Sequence, residues 1–243
     1  MISMVTCYDY SFAKALDGIC DYYLVGDSAA MVVYGDADTK SIDLPTLERH
    51  VRAVARGAKA TQVVADLPIH SYDTPDAARA AALRFKKAGA HAVKLEGASK
   101  ATLAAVESIR HDVPVMGHVG LTPQWAEQNK VQGKTHAEAE RILDEACALQ
   151  NAGCFAIVLE CVPASLAQKI TQVLRIPTIG IGAGPHCSGQ VLVLYDLLGL
   201  YGDLQPKFVK QYADVRAVAR LALTQYVKEV REKTFPDEKH SFK

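Results

Sequence analysis

At 243 residues, with hydrophobic residues at 49% and charged residues at 22%, the chain has the makings of one large ordered domain, which excludes a mini-protein and a disordered polypeptide. Lys plus Arg total 27, Asp plus Glu total 27, and no stretch gathers basic residues among aromatics, so a polyanion surface is excluded and no nucleic-acid partner is expected. Apolar runs stay below the roughly 18 residues of a membrane span and the N-terminus lacks a basic segment followed by an apolar stretch, so no membrane partner and a cytoplasmic location are expected.

Short apolar, β-branched runs predict strands at 2–7, 22–25, 62–65, 92–95, 113–117, 155–159, 177–181 and 191–194, with stretches of helical periodicity between them. Thr74 before Pro75 and Asp76 is a good helix N-cap, and Gly89 supplies the stop. Thr135 followed by Glu138 reads as a capping box, with Gly153 ending that helix. The stretch 211–232 is amphipathic and long enough to cover a barrel end or join a partner subunit. An internal echo links residues 88–96 with 152–160, and 113–117 with 176–180, as two repeated αβαβ units would. Eight strands with intervening helices, and no full dinucleotide fingerprint, favour an α/β fold of the (β/α)8 TIM-barrel type over a doubly wound sheet. No linker splits the chain, so residues 1–243 are expected to form a single barrel domain with a C-terminal helix.

Six cysteines lie scattered without any C-x-x-C pair, which predicts reduced thiols rather than a disulfide frame or a zinc site. Gly180-Ile181-Gly182-Ala183-Gly184 lacks the last glycine of G-x-G-x-x-G and is better read as a tight turn. Gly26-Asp27-Ser28 does not satisfy G-x-S-x-G, and Cys161 has no evident partner as a nucleophile.

The informative feature is where the acids fall. Asp27, Asp66, Glu96 and Glu160 each end an apolar run, and in a parallel barrel the C-terminal ends of the strands share one rim, joined there by His118. Two like charges about 4 Å apart repel by roughly 4 kcal/mol at an effective dielectric of about 20, so such a cluster needs positive charge. Lys94, two residues before Glu96 and hence on the same strand face, offers one cation. A divalent ion is the natural supplement, and oxygen ligands favour Mg2+ over zinc. Each residue also has a plain structural alternative: a helix cap or Asx turn for Asp27 and Asp66, an ion pair for Lys94, a hydrogen-bonded core histidine for His118.

Leu24-Val25-Gly26-Asp27-Ser28, Ala65-Asp66-Leu67-Pro68, Val93-Lys94-Leu95-Glu96-Gly97, the run from Gly117 to Gln124, Leu159-Glu160-Cys161-Val162-Pro163 and Ile179 to Gly184 together resemble the ketopantoate hydroxymethyltransferase family in order and spacing, over most of the chain. The resemblance implies a barrel of the phosphoenolpyruvate/pyruvate superfamily that transfers a one-carbon unit from the cosubstrate 5,10-methylenetetrahydrofolate to 3-methyl-2-oxobutanoate. The product is 2-dehydropantoate, on the route to pantothenate and coenzyme A. It also implies Mg2+ dependence and a cytoplasmic homo-oligomer, often a decamer, whose partners are a small 2-oxo acid and a reduced folate. By position, Asp27 and Asp66 match the family's metal aspartates, with Glu96 close to the ion and sometimes counted with them. Asp27, Ser28, Asp66 and Lys94 match residues around the keto acid, Glu160 matches the general base, and His118 would position the new hydroxymethyl group or a water.

The chain departs from the family pattern at Ala29-Ala30, where Leu-Gly is usual, and at 125–129, a shorter loop than the family's Gly- and aromatic-containing one. It also begins almost at the first strand, without the helix many members carry there. Two other readings fit the same acids: another Mg-dependent 2-oxo acid lyase or mutase of the superfamily, or a noncatalytic metal-binding barrel.

Overall fold

The computed structural model describes residues 1–128, 130–202 and 206–242; Asn129, the last residue of the short loop singled out above, lies outside them. The chain divides into two compact units, Met1–Val193 and Leu194–Lys243. In the first, strands β1 (Ile2–Thr6), β2 (Tyr22–Val25), β3 (Gln62–Asp66), β4 (Ala92–Lys94), β5 (Val115–Gly120), β6 (Ala156–Glu160), β7 (Thr178–Ile181) and β8 (Gly189–Leu192) pair in sequence order into a closed barrel. Every pairing is parallel, and β8 returns to β1 with Val191 opposite Met4. This is the expected (β/α)8 architecture.

Helices α1 (Tyr10–Ala15), α2 (Ala29–Val32), α3 (Leu44–Gly57), α4 (Pro75–Ala88), α5 (Lys100–Ile109), α6 (His136–Ala152) and α7 (Ala164–Val173) fill the crossovers as far as β7. Their starts follow local chemistry. Thr74 accepts from Ala77 N at the head of α4, and Thr135 and Glu138 form the reciprocal capping box of α6. Gly89 and Gly153 end these helices in the left-handed conformation, as the sequence predicts. Between β7 and β8 the chain makes only a glycine turn, with Gly182 and Gly184 at positive φ, which bears out the tight-turn reading of that motif.

Two strands differ from expectation by more than one residue, and five others shift by a single residue at one or both ends. The fifth strand starts at Val115 because Pro114 has no N–H to donate into a ladder, and it continues to Gly120 because His118, Val119 and Gly120 pair with Val158, Leu159 and Glu160. His118 therefore lies within β5 rather than at its end. The eighth strand starts at Gly189, where β1 approaches so closely that a Cβ would lie 2.5 Å from the Ile2 carbonyl oxygen, and Leu194 already opens a helix.

Period-two alternation then decides what the barrel encloses. Met4, Leu24, Val64, Ala92, Met116, Val158, Ile179 and Val191, one from each strand, fill the interior as an apolar plug, with Ala156 beneath. Their alternating neighbours Val63, Ala65, Val93, Val115, Ile157 and Leu159 are fully buried on the outside, under the helices. Two residues beyond the plug, on the same inward parity, stand Asp66, Lys94, His118 and Glu160.

The second unit contains α8 (Leu194–Leu197) and α9 (Val215–Arg231), the latter inside the amphipathic stretch 211–232 and capped by Asp214 accepting from Ala217 N. No residue of α9 is buried, and Val218, Leu221 and Leu223 are exposed. Among the described residues no helix is long and apolar enough to cross a membrane.

Candidate active site

At the C-terminal end of the plug six of the seven predicted residues, all but Ser28, meet in one continuous run of contacts. Asp27 N donates to Asp66 Oδ2 at 3.2 Å, and Lys94 Nζ lies 2.9 Å from Asp66 Oδ1 and 3.8 Å from Glu96 Oε1. His118 Nδ1 lies 3.1 Å from Glu96 Oε1, and its Nε2 lies 3.3 Å from Glu160 Oε2. Asp27, Asp66, Lys94, Glu96 and His118 are buried, whereas the Glu160 side chain keeps 17% of its surface open to the barrel mouth.

The local alternatives for the aspartates do not hold. The Asp66 carboxylate caps no helix, since α4 is capped by Thr74, and the Asp27 carboxylate accepts from Gln124 Nε2 at 2.7 Å. Ser28 stands at the head of α2 without a side-chain capping bond, and its Oγ instead meets Tyr8 OH at 2.9 Å. For Lys94 and His118 the structural contacts are present, and they are the same contacts that assemble the cluster.

The electrostatics are those of a site rich in acid. Burial, then the charges of Asp66 and Glu96, push the Asp27 carboxyl well above the usual carboxylate range, against Lys94 and the Gln124 bond. Burial raises Asp66 too, with Lys94 opposing. Glu96 moves the other way: burial works to raise it, but His118, Lys94 and the Gln124 N–H outweigh that and hold it low. Burial and Lys94 disfavour the His118 cation, yet Glu96 and Glu160 on its two nitrogens push it up to about 9. Burial likewise opposes the Lys94 ammonium, but Asp66, Glu96 and Asp27 hold it above its ordinary range. The sequence supplied one compensating cation, Lys94; in the structure His118 stands between Glu96 and Glu160, both of which favour its charged form. Lys94 and His118 thus stand among four acidic side chains.

Among the described residues no three His, Cys, Asp or Glu side chains converge as a ready-made metal cage. A hard cation such as Mg2+ does not require one, since one or two carboxylates with water and substrate oxygens complete its shell. Asp27 and Asp66 fit that description as hard oxygen donors held side by side, the Asp27 N–H on Asp66 Oδ2 and Gln124 Nε2 on one of the two Asp27 carboxylate oxygens. The two oxygens of Glu96 are engaged by His118 and by Gln124 N, so its contribution to a cation would be charge at short range.

Several contributors were not singled out by sequence reasoning. Gln124, buried, touches both Asp27 and Glu96; Tyr72 and Tyr8 hold Gln124 and Ser28. Gln124 stood inside the motifs that carry the resemblance and Tyr8 in the stretch 4–10 where the likeness begins, but Tyr72 carries no sequence signal. Gly120 is required beside Glu160: at φ 95° its absent Cβ would lie 2.3 Å from the Glu160 carbonyl oxygen, which accepts from Leu121 N. The six cysteines are free, and burial pushes the Cys161 thiol up to about 12, which leaves it protonated beside Glu160 and unsuited to attack.

Comparison with known proteins bears on the lineage of the chain. The family profile described as ketopantoate hydroxymethyltransferase matches residues 1–238. A 3-methyl-2-oxobutanoate hydroxymethyltransferase of Moorella thermoacetica (strain ATCC 39073 / JCM 9320) is 50% identical over 100% of this chain and 92% of its own length. One from Nitratidesulfovibrio vulgaris (strain DP4) is 49% identical over 99% of this chain and 80% of its own. Among solved structures, phosphonopyruvate hydrolase in complex with oxalate and Mg++ superposes with a TM-score of 0.65 at 12% identity, covering 99% of this chain and 88% of its own. A 2,3-dimethylmalate lyase of the PEP mutase/isocitrate lyase superfamily gives 0.62 at 16%, covering 99% and 87%. At those identities the solved structures speak for the barrel alone, whereas the match along nearly the whole sequence decides the lineage: the chain belongs to the ketopantoate hydroxymethyltransferase family.

Proposed function

We propose that this enzyme transfers a hydroxymethyl group from 5,10-methylenetetrahydrofolate to 3-methyl-2-oxobutanoate, giving 2-dehydropantoate for pantothenate and coenzyme A biosynthesis. The observation that carries the reading is the run of contacts from Asp27 through Asp66, Lys94, Glu96 and His118 to Glu160, with Glu160 alone of the acids keeping exposed surface. Asp27 and Asp66 would hold Mg2+, with Glu96 beside it. Bound there, the ion supplies Lewis-acid stabilisation of the negative charge that grows on the keto oxygen.

The chain's own groups account for the rest. Lys94, the ammonium nearest both Asp66 and Glu96, would neutralise the substrate carboxylate, and Ser28, oriented by Tyr8, would donate a hydrogen bond to the keto acid. Glu160 would take the C3 proton: its carboxylate reaches the open mouth on one side and is fixed by His118 on the other. The C3 carbon then bonds to the methylene carbon of the folate, both of that carbon's bonds to nitrogen break, and one water supplies its hydroxyl. The C3 proton and the second hydrogen of the water end on the two nitrogens, which releases tetrahydrofolate. His118, held between Glu96 and Glu160, would position that water or the new hydroxymethyl group.

The same reading takes residues 1–243 as one functional domain of a cytoplasmic homo-oligomer, decameric as the family resemblance implies, acting on small molecules. Deuterium exchange at C3 tests it. The protein with Mg2+ should exchange the C3 hydrogen of 3-methyl-2-oxobutanoate without folate, and Glu160→Gln should abolish exchange while Mg2+ binding persists. Exchange without a folate-dependent product would favour a superfamily lyase or mutase, and metal binding without any exchange a noncatalytic barrel.

A further inference from the structure

The loop after β5 carries the chain's single tryptophan, Trp125, which is 48% exposed. Its indole Nε1 can only donate, and it donates to Tyr72 OH at 3.2 Å. Tyr72, buried, spends its one hydrogen elsewhere: Gln124 Oε1 at 2.5 Å is its nearer acceptor, and the Glu96 carbonyl oxygen lies at 3.5 Å. Gln124 Nε2 has two hydrogens, and both have acceptors: Asp27 Oδ2 at 2.7 Å and Leu67 O at 3.0 Å. Its backbone N donates to Glu96 Oε2 at 3.1 Å.

The bonds as placed run one way, from the indole toward the carboxylates. Turning the Gln124 amide over would set its oxygen against the Leu67 carbonyl and take from Asp27 Oδ2 and Leu67 O the donor they now share, in a buried site. With the amide as it stands, every donor from the indole to the carboxylates has an acceptor. We infer that Gln124 is a positioning residue for Asp27 and Glu96, and that Trp125, Tyr72 and Gln124 form a one-way hydrogen-bond relay coupling the loop after β5 to those carboxylates. Gln124 engages one Asp27 oxygen and leaves the other for a ligand. It also ties Glu96 in place behind Lys94 and His118. The shortened loop thus feeds its only aromatic residue into the supports of the site.

This rests on the transferase reading for its kinetic arm only. Gln124→Met keeps length and volume but loses the side-chain hydrogen bonds. Its kcat should fall about 10- to 100-fold, since displacement of a reacting group by about 1 Å costs that order. Its KM for 3-methyl-2-oxobutanoate should stay within about threefold. The structural arm uses the lone indole 15N–1H resonance: Asp27→Asn should shift it in the otherwise native protein and not in a Tyr72→Phe background. Thermal melting of each variant separates displacement from unfolding. A kcat within twofold of wild type, a loss confined to KM, or an indole resonance indifferent to Asp27→Asn would overturn the inference. A wild-type protein without C3 exchange would instead retire the transferase reading, and the indole resonance would still decide the relay.

Discussion

Asp66 and Lys94 are register partners on β3 and β4, and the carboxylate Oδ1 of one lies 2.9 Å from the ammonium of the other, both buried above the apolar plug. Parallel pairing with matched inward parity produces this contact without any loop. Removing one partner of such a pair strands a buried charge, which costs about 3–5 kcal/mol, whereas replacing both by apolar groups is often neutral. Lys94→Met should therefore destabilise the protein by about that amount, and Lys94→Met with Asp66→Leu should regain most of it in denaturant titrations. Neither variant should turn over, which separates the fold's need for the pair from the chemistry's.

Metal linkage follows from Asp27 and Asp66. A cation that binds only the native state stabilises it by about 2.7 kcal/mol at 100 times its Kd. Mg2+ should thus raise the melting temperature of the wild type, and the rise should vanish in Asp27→Asn and Asp66→Asn. A chelator should remove both the stabilisation and the C3 exchange.

Gly120 is the most constrained position next to Glu160. Alanine there combines a positive φ with a Cβ driven into the Glu160 carbonyl. Gly120→Ala should cost on the order of 2–4 kcal/mol of stability. Exchange by the folded fraction should also drop, because relief of the clash moves the Glu160 backbone. Denaturant melts and exchange rates normalised to folded protein check the two effects.

Far from the site, Asp17 accepts from the backbone N–H groups of Thr61, Lys59 and Ala60, and these bonds, that from Thr61 foremost, hold its carboxyl below the usual range. A depressed folded-state value means stability that is present above the unfolded pKa of about 3.9 and is lost as pH falls through the folded one. Asp17→Asn should lower the melting temperature at pH 7. The gap to wild type should narrow below pH 4, as paired melting curves would reveal.

Much of this molecule was written in its sequence. The capping box at Thr135 and Glu138, the terminating Gly89 and Gly153, and the eight apolar runs are local signals, because each depends on residues within a few positions of one another. The placement of Asp66, Lys94, Glu96 and Glu160 at strand ends was equally legible, since parity along a strand requires no knowledge of the neighbouring strand. What the sequence could not provide was partnership across the barrel. Gln124 and Asp27 are 97 positions apart, and Tyr72 and Gln124 are 52 apart, so those hydrogen bonds exist only once the sheet closes. His118 meets its acidic partners for the same reason: Glu96, just past β4, and Glu160, at the end of β6, flank its two ring nitrogens and favour its charged form. Local spacing determined which groups would face inward; burial and strand register, which are properties of the closed barrel, decided which of them touch and which carry charge.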